Sequence, residues 1–508
     1  MFIYSVGLLG LQAELVRVEA DISRGLPAFH IVGLPDIAVK ESKERIRSAI
    51  KNTGISFPRT RVTINLAPAD RKKQGPLFDL AIALAVLNAQ GEIPSEALHH
   101  SLVIGELGLQ GEIRPVRGTL LAAICAKQEK LHTIYVPKEN AEEAALIKGL
   151  TIIDAQNLRQ VIEHLQQKNL CLPYKKKNSS KKTPSFLYSI DFAHIKGQEH
   201  AKRGMEIAAS GSHNILLSGP PGAGKTLLAK ALPSILPSMT TQEALEVTKI
   251  ASVAGKHLPH GLVAQRPFCH PHHSSSATAL IGGGTWPKPG QVSLAHRGVL
   301  FLDEFPEFSR HTLEHLRQPL EDGEVSISRA SADVTFPAQF LLVAAMNPCP
   351  CGYATDPFRP CVCSQNQITR YVKKISGPLL DRIDIFLSVP AVEITKLQQQ
   401  NQAECSASIQ ARVQNARDKQ KRRFKNTPII NNAEMTLSLL QTHSFFSNSA
   451  QNLLQIAAEK LHLSARAYNR TIKLARTIAD LGNQEEILPE HISEALTYRS
   501  QTSLESPS

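Results

Sequence analysis

The sequence predicts an α/β chain: a mixed α+β region, then a P-loop core built on a parallel sheet, then a helical C-terminal region. Three observations predict it. An apolar strand pattern runs into Gly219-Pro-Pro-Gly-Ala-Gly-Lys-Thr226 and a helix pattern follows at once. A second apolar run, Val299-Leu-Phe-Leu302, ends in the carboxylate pair Asp303-Glu304. From about residue 391 the apolar spacing turns helical and stays so.

Length and composition set the frame. At roughly 100–200 residues per domain, 508 residues suggest about three domains. Hydrophobic residues make up 42% and charged residues 20%, which excludes global disorder. Lys and Arg number 57 against 45 Asp and Glu, a net charge of +12 that suits a polyanionic partner or simply solubility. No uncharged apolar run reaches the ~18 residues a membrane helix needs. The first twenty residues lack the basic start and small-residue cleavage site of a secretory signal. The expectation is a cytoplasmic protein without membrane contact, whose eight cysteines are buried thiols, metal ligands or reactive groups.

Residues 1–170 alternate β-rich runs with helical patterns, predicting a mixed α+β domain. The N-terminus reads as a first strand. Further strands are expected at Leu15–Ile22, Ala28–Val32, Arg61–Leu66 and Ser101–Glu106, and helices at Asp36–Lys51, Asp79–Leu87 and Thr119–Lys127. Gly108-Leu-Gln-Gly-Glu112 has hairpin turn chemistry. Residues 171–190 hold five lysines, four serines and two prolines, the composition of an exposed basic linker. Residues 191–390 form the parallel-sheet core. Residues 391–508 form a helical lid and tail, with helices expected at Ala403–Lys421, Ala433–Leu440, Ala450–Lys460, Ala465–Leu481 and Pro489–Tyr498.

The glycine-rich segment is the strongest chemical signal. Gly219, Pro220, Pro221, Gly222, Ala223 and Gly224 form a loop whose backbone N–H groups can curl around phosphates. Lys225 neutralises phosphate charge and Thr226 offers a hydroxyl to magnesium. Asp303 is the second magnesium ligand, and Glu304 orients or deprotonates an attacking water. The strand expected at Gln339–Met346 ends at Asn347. Placed between the other two strands, its amide can position that water. The cofactors expected are ATP and Mg2+.

Arg382, in Ser376-Gly-Pro-Leu-Leu-Asp-Arg-Ile-Asp384, is either an arginine finger delivered to a neighbouring subunit or half of an intrachain pair with Asp381 or Asp384. Arg466 is the choice for a lid arginine touching the nucleotide in cis. Arg470 is the runner-up, and a solvated helix face is the alternative.

Three further features stand apart. Phe268–Gly290 is rich in His, Ser and Gly, and contains Trp286 and Lys288. One aromatic and one cation on a glycine-rich backbone suit nucleic-acid tracking, and a structural loop is the alternative. Val325 and Ile327 alternate in a strand that can pair with Ala332–Phe336 and carry Arg329 near its tip. His272 and His273 read as structural residues, with metal ligation the alternative. Finally, Cys349, Cys351, Cys361 and Cys363 fall within fifteen residues. Four thiolates suit structural zinc. Free thiols and a disulfide remain open.

Taken together, these stretches resemble the ComM/YifB family of magnesium-chelatase-like AAA+ ATPases. The motifs that carry the resemblance run from Arg266 to Phe308, through Ala344-Ala-Met-Asn-Pro-Cys-Pro-Cys-Gly352, Lys374–Ile385 and Leu463–Leu481. The chain departs from the family pattern at Cys269, where the family has Arg. The resemblance implies a hexameric DNA motor that drives branch migration of recombination intermediates in natural transformation. Its implied partners are single-stranded and branched DNA, other copies of the chain and recombination proteins. It also implies that Arg382 is the finger, that Phe268–Gly290 holds an insertion within helix 2, and that the strand pair near Arg329 is a pre-sensor hairpin. The other reading is a magnesium-chelatase-type motor subunit acting on a protein or porphyrin-chelation partner. The N-terminal region resembles the proteolytic domain of Lon through Ala67–Leu87 and Gly105–Ala123. There Leu77 stands at the serine position and Leu120 at the lysine position. Neither can attack a carbonyl nor take a proton, so this domain is expected to be catalytically dead. Arg71, Lys72 and Lys73 lie in its loop, facing either nucleic acid or plain solvent.

Overall fold

The computed structural model describes residues 2–70, 72–175, 190–256, 261–284, 287–329, 332–391 and 404–499. Trp286, Arg71, residues 176–189 of the basic linker and the tail from 500 lie outside the described residues.

The N-terminal region is built on a seven-stranded mixed sheet. Its strands are β1 (Phe2–Leu9), β2 (Gln12–Ser23), β3 (Ala28–Val32), β4 (Arg61–Ala67), β5 (Ser101–Val103), β6 (Thr133–Pro137) and β7 (Thr151–Ala155), in spatial order β3-β4-β2-β1-β5-β6-β7. β1 and β2 form an antiparallel hairpin turned at Gly10, which has a positive φ. In β4 Val62, Ile64 and Leu66 are buried on one face, the period-2 pattern of a half-buried strand. The helix Ile37–Asn52 starts where the Asp36 carboxylate accepts from Val39 N at 2.8 Å. The helix Asp79–Ala89 is apolar on every face, and residues 79–87 are all buried. The Gly108–Glu112 turn joins a two-residue strand pair, Glu106–Leu107 with Ile113–Arg114. Thus the strand expected at Ser101–Glu106 is split, because Gly105 N leaves the sheet to donate to Leu77 O.

The second sheet is the functional platform. Its five strands are β8 (Ile215–Ser218), β9 (Phe268–Cys269), β10 (Val299–Leu302), β13 (Leu341–Met346) and β14 (Ile385–Ser388). The hairpin β11 (Glu324–Arg329) and β12 (Ala332–Pro337) intervenes in sequence. All pairings in the sheet are parallel and the order is β9-β10-β13-β8-β14. β10 and β13 are buried along their whole lengths, as a sheet covered on both faces requires.

Helices Ser406–Arg423, Leu437–His443, Asn448–Lys460, Ala465–Leu481 and Pro489–Thr497 follow. They share one apolar cluster with β8 and β14 through Val413, Leu474, Ala475 and Ile478. The helix expected from Ala433 begins only at Leu437, because the Thr436 side chain caps it and Asn432–Glu434 forms a separate 3-10 turn. Arg476 is buried and bonds the Asp480 carboxylate at 3.1 Å, so part of this arginine-rich helix is core structure.

The two sheets meet at two places. Ser252, at the end of the helix Thr241–Ala254, donates to the buried Glu143 carboxylate, and Gly118 N donates to Ser252 O at 3.3 Å. The β1–β2 turn rests on the second hairpin: Leu9 and Leu11 pack against the cluster holding Val325, Val334 and Phe336.

Candidate functional site

The glycine-rich loop, the carboxylate pair and Asn347 all sit at the C-terminal ends of adjacent parallel strands. β13 lies between β8 and β10, so Asn347 emerges between the loop and Asp303. Gly219 must be glycine, because a Cβ there would come within 2.0 Å of Val389 O. Gly222 and Gly224 both adopt positive φ, which lets the loop coil tightly before the helix Lys225–Ala231.

Lys225 is buried, and its Nζ donates to Gly219 O (2.6 Å), Pro220 O (2.9 Å) and Asn347 Oδ1 (3.1 Å). Burial lowers its pKa, opposed by the charge of Asp303. Thr226 Oγ1 donates to Asp303 Oδ2 at 2.8 Å. A hydroxyl and a carboxylate in contact at the mouth of a phosphate loop are a donor set that fits Mg2+. Glu304 has φ 52°, a left-handed conformation costing a non-glycine residue about 1–2 kcal/mol. Such strain is characteristic of working positions. Its carboxylate lies 2.9 Å from His273 Nδ1. No local sequence pattern joins His273 to Glu304; the signal that they meet is spatial only.

Arg382 and Arg466 are not brought to this loop. Both line a cavity of about 700 Å³ together with Asn214, Gly298, Leu341, Asp384, Asn469 and Arg470. Asn214, Gly298 and Asp384 precede their strands and Leu341 opens its own, so the cavity lies at the N-terminal ends of the sheet. With strands of four to six residues at about 3.3 Å each, that is roughly 13–20 Å from the phosphate loop. This corrects the cis assignment of Arg466, and of Arg470 as its runner-up. The lid helix Ala465–Leu481 reaches the N-terminal end of the sheet, where Arg470 Nη1 pairs with Asp384 Oδ1 at 3.0 Å. Burial works against the Asp384 charge, but Arg470, His213 and Arg499 hold its carboxyl well below the usual range. Arg382 does form an intrachain pair, though with Glu321 rather than Asp381 or Asp384; its Nη1 also donates to Pro378 O at 2.7 Å.

The four cysteines converge. Every ligand sulfur lies within 4.8 Å of the others, with Cys349–Cys351 at 3.3 Å, Cys351–Cys361 at 3.6 Å and Cys349–Cys361 at 3.7 Å. All are free thiols, and Cys351 N donates to Cys363 Sγ at 3.4 Å. Burial opposes ionisation of Cys351, but N–H donors from Tyr353 and Val362 and neighbouring thiols bring it down to about 6. The turn inside this loop lies flat on the phosphate loop: a Cβ on Gly352 would meet Pro221 at 2.7 Å.

The two candidate nucleic-acid segments also meet. The helix Ala277–Ile281 leads into Gly282–Gly283, which pairs antiparallel with Lys288–Pro289. Lys288 and Arg329 are exposed, and a Cβ on Gly283 would lie 3.6 Å from Arg329 Nη2. Ser326 and Ser328 face outward while Val325 and Ile327 are buried, as alternation predicts. Cys269 is buried, and burial pushes its thiol up to about 11, so it packs in the core. Lys73 is buried and donates to Pro68 O, so of the two alternatives for its loop neither applies to it. Leu77 and Leu120 are both buried.

Comparison with known proteins agrees with this geometry. Three family models match: "Magnesium chelatase, subunit ChlI" over residues 191–397, "Subunit ChlI of Mg-chelatase" over 18–140, and "Magnesium chelatase, subunit ChlI C-terminal" over 403–499. The competence protein ComM of Haemophilus influenzae is 43% identical over 507 residues, covering 99% of this chain and 98% of its own. The chain belongs to the ComM/YifB family. The uncharacterized protein YifB of Escherichia coli is 40% identical over 502 residues, covering 98% and 96%. The magnesium-chelatase 38 kDa subunit of Cereibacter sphaeroides is 27% identical over 174 residues, 31% of this chain and 52% of that protein. The ComM/YifB chain is thus a magnesium-chelatase-related AAA+ protein with a mixed α/β fold. Among the described residues no helix is long and apolar enough to cross a membrane.

Proposed function

We propose that this protein is an ATPase that assembles into a hexameric ring and moves DNA, promoting branch migration of recombination intermediates during natural transformation. The observation that carries the reading is the split site. Lys225, Thr226, Asp303, Glu304 and Asn347 cluster at one end of the sheet, while Arg382 and Arg466 line a cavity at the other. A P-loop whose arginines lie across its own sheet is completed by the arginines of the next copy in a ring.

In that reading the Gly219–Gly224 backbone and Lys225 bind the phosphates of ATP, Thr226 and Asp303 hold Mg2+, and Asn347 and Glu304 orient the attacking water. The magnesium ion supplies charge neutralisation on the phosphates. Glu304 takes the proton of the water. Arg382 and Arg466 stabilise charge from the adjacent subunit, and Glu321 must release Arg382 first. Lys288, Arg329 and Trp286 grip the DNA backbone without reading its sequence. The four-cysteine loop holds structural zinc.

The division is 1–170 as a Lon-protease-like domain without peptidase chemistry, 171–190 as linker, 191–390 as the AAA+ core and 391–508 as helical lid and tail. The burial of Leu77 and Leu120 supports the loss of peptidase chemistry. Single-stranded and branched DNA are the substrates, recombination proteins are the partners, and the cytoplasm is the location. The name of the Haemophilus relative supports the competence role.

A second reading, a magnesium-chelatase-type motor acting on a protein or porphyrin-chelation partner, is favoured by the ChlI family models. DNA separates the two. ATPase activity should rise when single-stranded or forked DNA is added, and a labelled four-way junction should migrate only with ATP. Hydrolysis that ignores DNA would transfer support to the chelatase-type reading.

A further inference from the structure

The geometry points to a further metal site, formed by His311 and His315, that takes a zinc-class transition-metal ion. The two imidazoles stand four residues apart on one helical turn, so they share a face. Their Nε2 atoms lie 3.3 Å apart, with ring centroids at 4.6 Å and ring planes at 83°. Zinc–nitrogen bonds of about 2.0–2.1 Å place neighbouring corners of a tetrahedron about 3.3–3.4 Å apart. The pair already has the spacing of one tetrahedral edge, so an ion can sit across both nitrogens without moving the backbone.

The turn that carries the pair is held by its inner face. Ser309 caps it by accepting from Thr312 N at 3.1 Å, and Thr312, Leu313 and Leu316 are buried while both histidines are exposed. The backbone is therefore fixed and the rings are open to an ion from solvent. Imidazole nitrogen suits zinc, copper and nickel and does not suit magnesium, so the pair does not duplicate Thr226 and Asp303.

The order His311-Thr-Leu-Glu-His315 is also the H-x-x-E-H spacing of a class of zinc hydrolases. Two observations separate this pair from such a centre. Glu314 is ion-paired with Arg317 at 2.6 Å, so it is not free to act as a base. Among the described residues no third His, Cys, Asp or Glu joins the pair. Two protein nitrogens hold the ion and water fills its other positions, which makes this a binding site and not a hydrolytic one. It lies on the segment between Asp303-Glu304 and Glu321, the partner of Arg382, and an ion that ties the two rings together stiffens that turn. Without an ion the contact is a hydrogen bond in which one Nε2–H donates to the other ring.

The test is equilibrium dialysis of the full chain against a zinc series, followed by elemental analysis, for the wild type and for His311→Ala, His315→Ala and His311→Gln. The four-cysteine loop is the same in all of them, so the difference isolates this pair. Wild type should hold one zinc more than any variant. The zinc needed to half-fill that equivalent should rise about 100-fold or more in each, since even the outer partners of a metal ligand cost about 10–100-fold. Gln keeps a donor and an acceptor for the neighbouring ring but offers no imidazole nitrogen, so it should behave like Ala. Excess Mg2+ should not displace the ion. Zinc should raise the melting temperature of wild type above that of the variants, while all of them melt alike without zinc. Equal zinc in wild type and in the Ala variants overturns the inference and leaves only the hydrogen bond between the rings. Wild-type zinc binding by His311→Gln, or displacement by Mg2+, overturns it as well.

Discussion

Removing two of the four clustered thiols, by Cys361→Ser with Cys363→Ser, should empty a metal site and weaken nucleotide binding without unfolding the chain. Zinc–sulfur bonds of about 2.3 Å place tetrahedral edges at about 3.8 Å. Three sulfur pairs, at 3.3, 3.6 and 3.7 Å, lie within about 0.5 Å of that edge, and none exceeds 4.8 Å. The site is therefore nearly preformed and should fill with one zinc per chain. The loop starts directly after Asn347, and its Gly352 lies against Pro221. Losing that support should weaken ATP binding about tenfold, or ~1.4 kcal/mol. The exposed Phe358 and Val362 show that much of the loop is outside any core, so the melting temperature should move little. Elemental analysis of protein purified under reductant gives the stoichiometry, and cobalt substitution should add a thiolate charge-transfer band. A fluorescent nucleotide titration reads the rest. Wild-type protein without zinc and without a cobalt band would refute the metal site. Zinc present but ATP affinity unchanged in the double variant would refute the support of the phosphate loop.

Other expectations concern the two ends of the core sheet and the hairpins beside it. Lys225→Ala should abolish ATP-dependent activity, while Glu304→Gln should bind ATP, retain it unhydrolysed and stabilise rings, as filtration and nucleotide-retention assays would show. Lys288→Ala and Arg329→Ala should each lower DNA affinity on all sequences alike and flatten its salt dependence by roughly 0.7–0.9 in the log–log slope per lost phosphate contact. Asp384 carries a depressed pKa, so its charged pairing stabilises the fold above pH about 4 and is lost as pH falls through the lower folded value. Arg470→Ala should therefore lower the melting temperature at neutral pH and shrink its fall in acid; an unchanged acid profile would contradict the pairing.

Much of the core fold is legible in the sequence. β10 and β13 are uninterrupted apolar runs, each followed by a polar residue, so both strands are legible in the sequence. The helix Ala465–Leu481 has matching ends in sequence and structure, because Ser464 caps it and its apolar spacing persists to Leu481. What sequence does not supply is the end of the sheet that the helix reaches. Amphipathic spacing says that a face is buried, not against which end of a sheet, so it does not show that Arg466 lines the cavity beside Asp384. The pairs Arg382–Glu321 and His273–Glu304 join residues 61 and 31 positions apart that no local pattern connects. Lys73 reads as a loop cation, yet its backbone is tied between Leu34 and Asp36 and its side chain turns inward. β6 and β7 carry no local signal that marks them, and β6 is held by pairing with β5 and β7 by pairing with β6.

The central claim is that each hydrolytic site is shared between neighbouring copies and answers to DNA. Mixing Arg382→Ala chains with Lys225→Ala chains tests it most directly. Each variant alone should be inactive, the former by the roughly 10³–10⁵-fold typical of a lost arginine finger. In an equal mixture, about one quarter of the interfaces join an intact phosphate loop to an intact arginine, and DNA-stimulated hydrolysis should return to that fraction. Full activity of the Arg382 variant alone, or no recovery in mixed rings, would contradict the account.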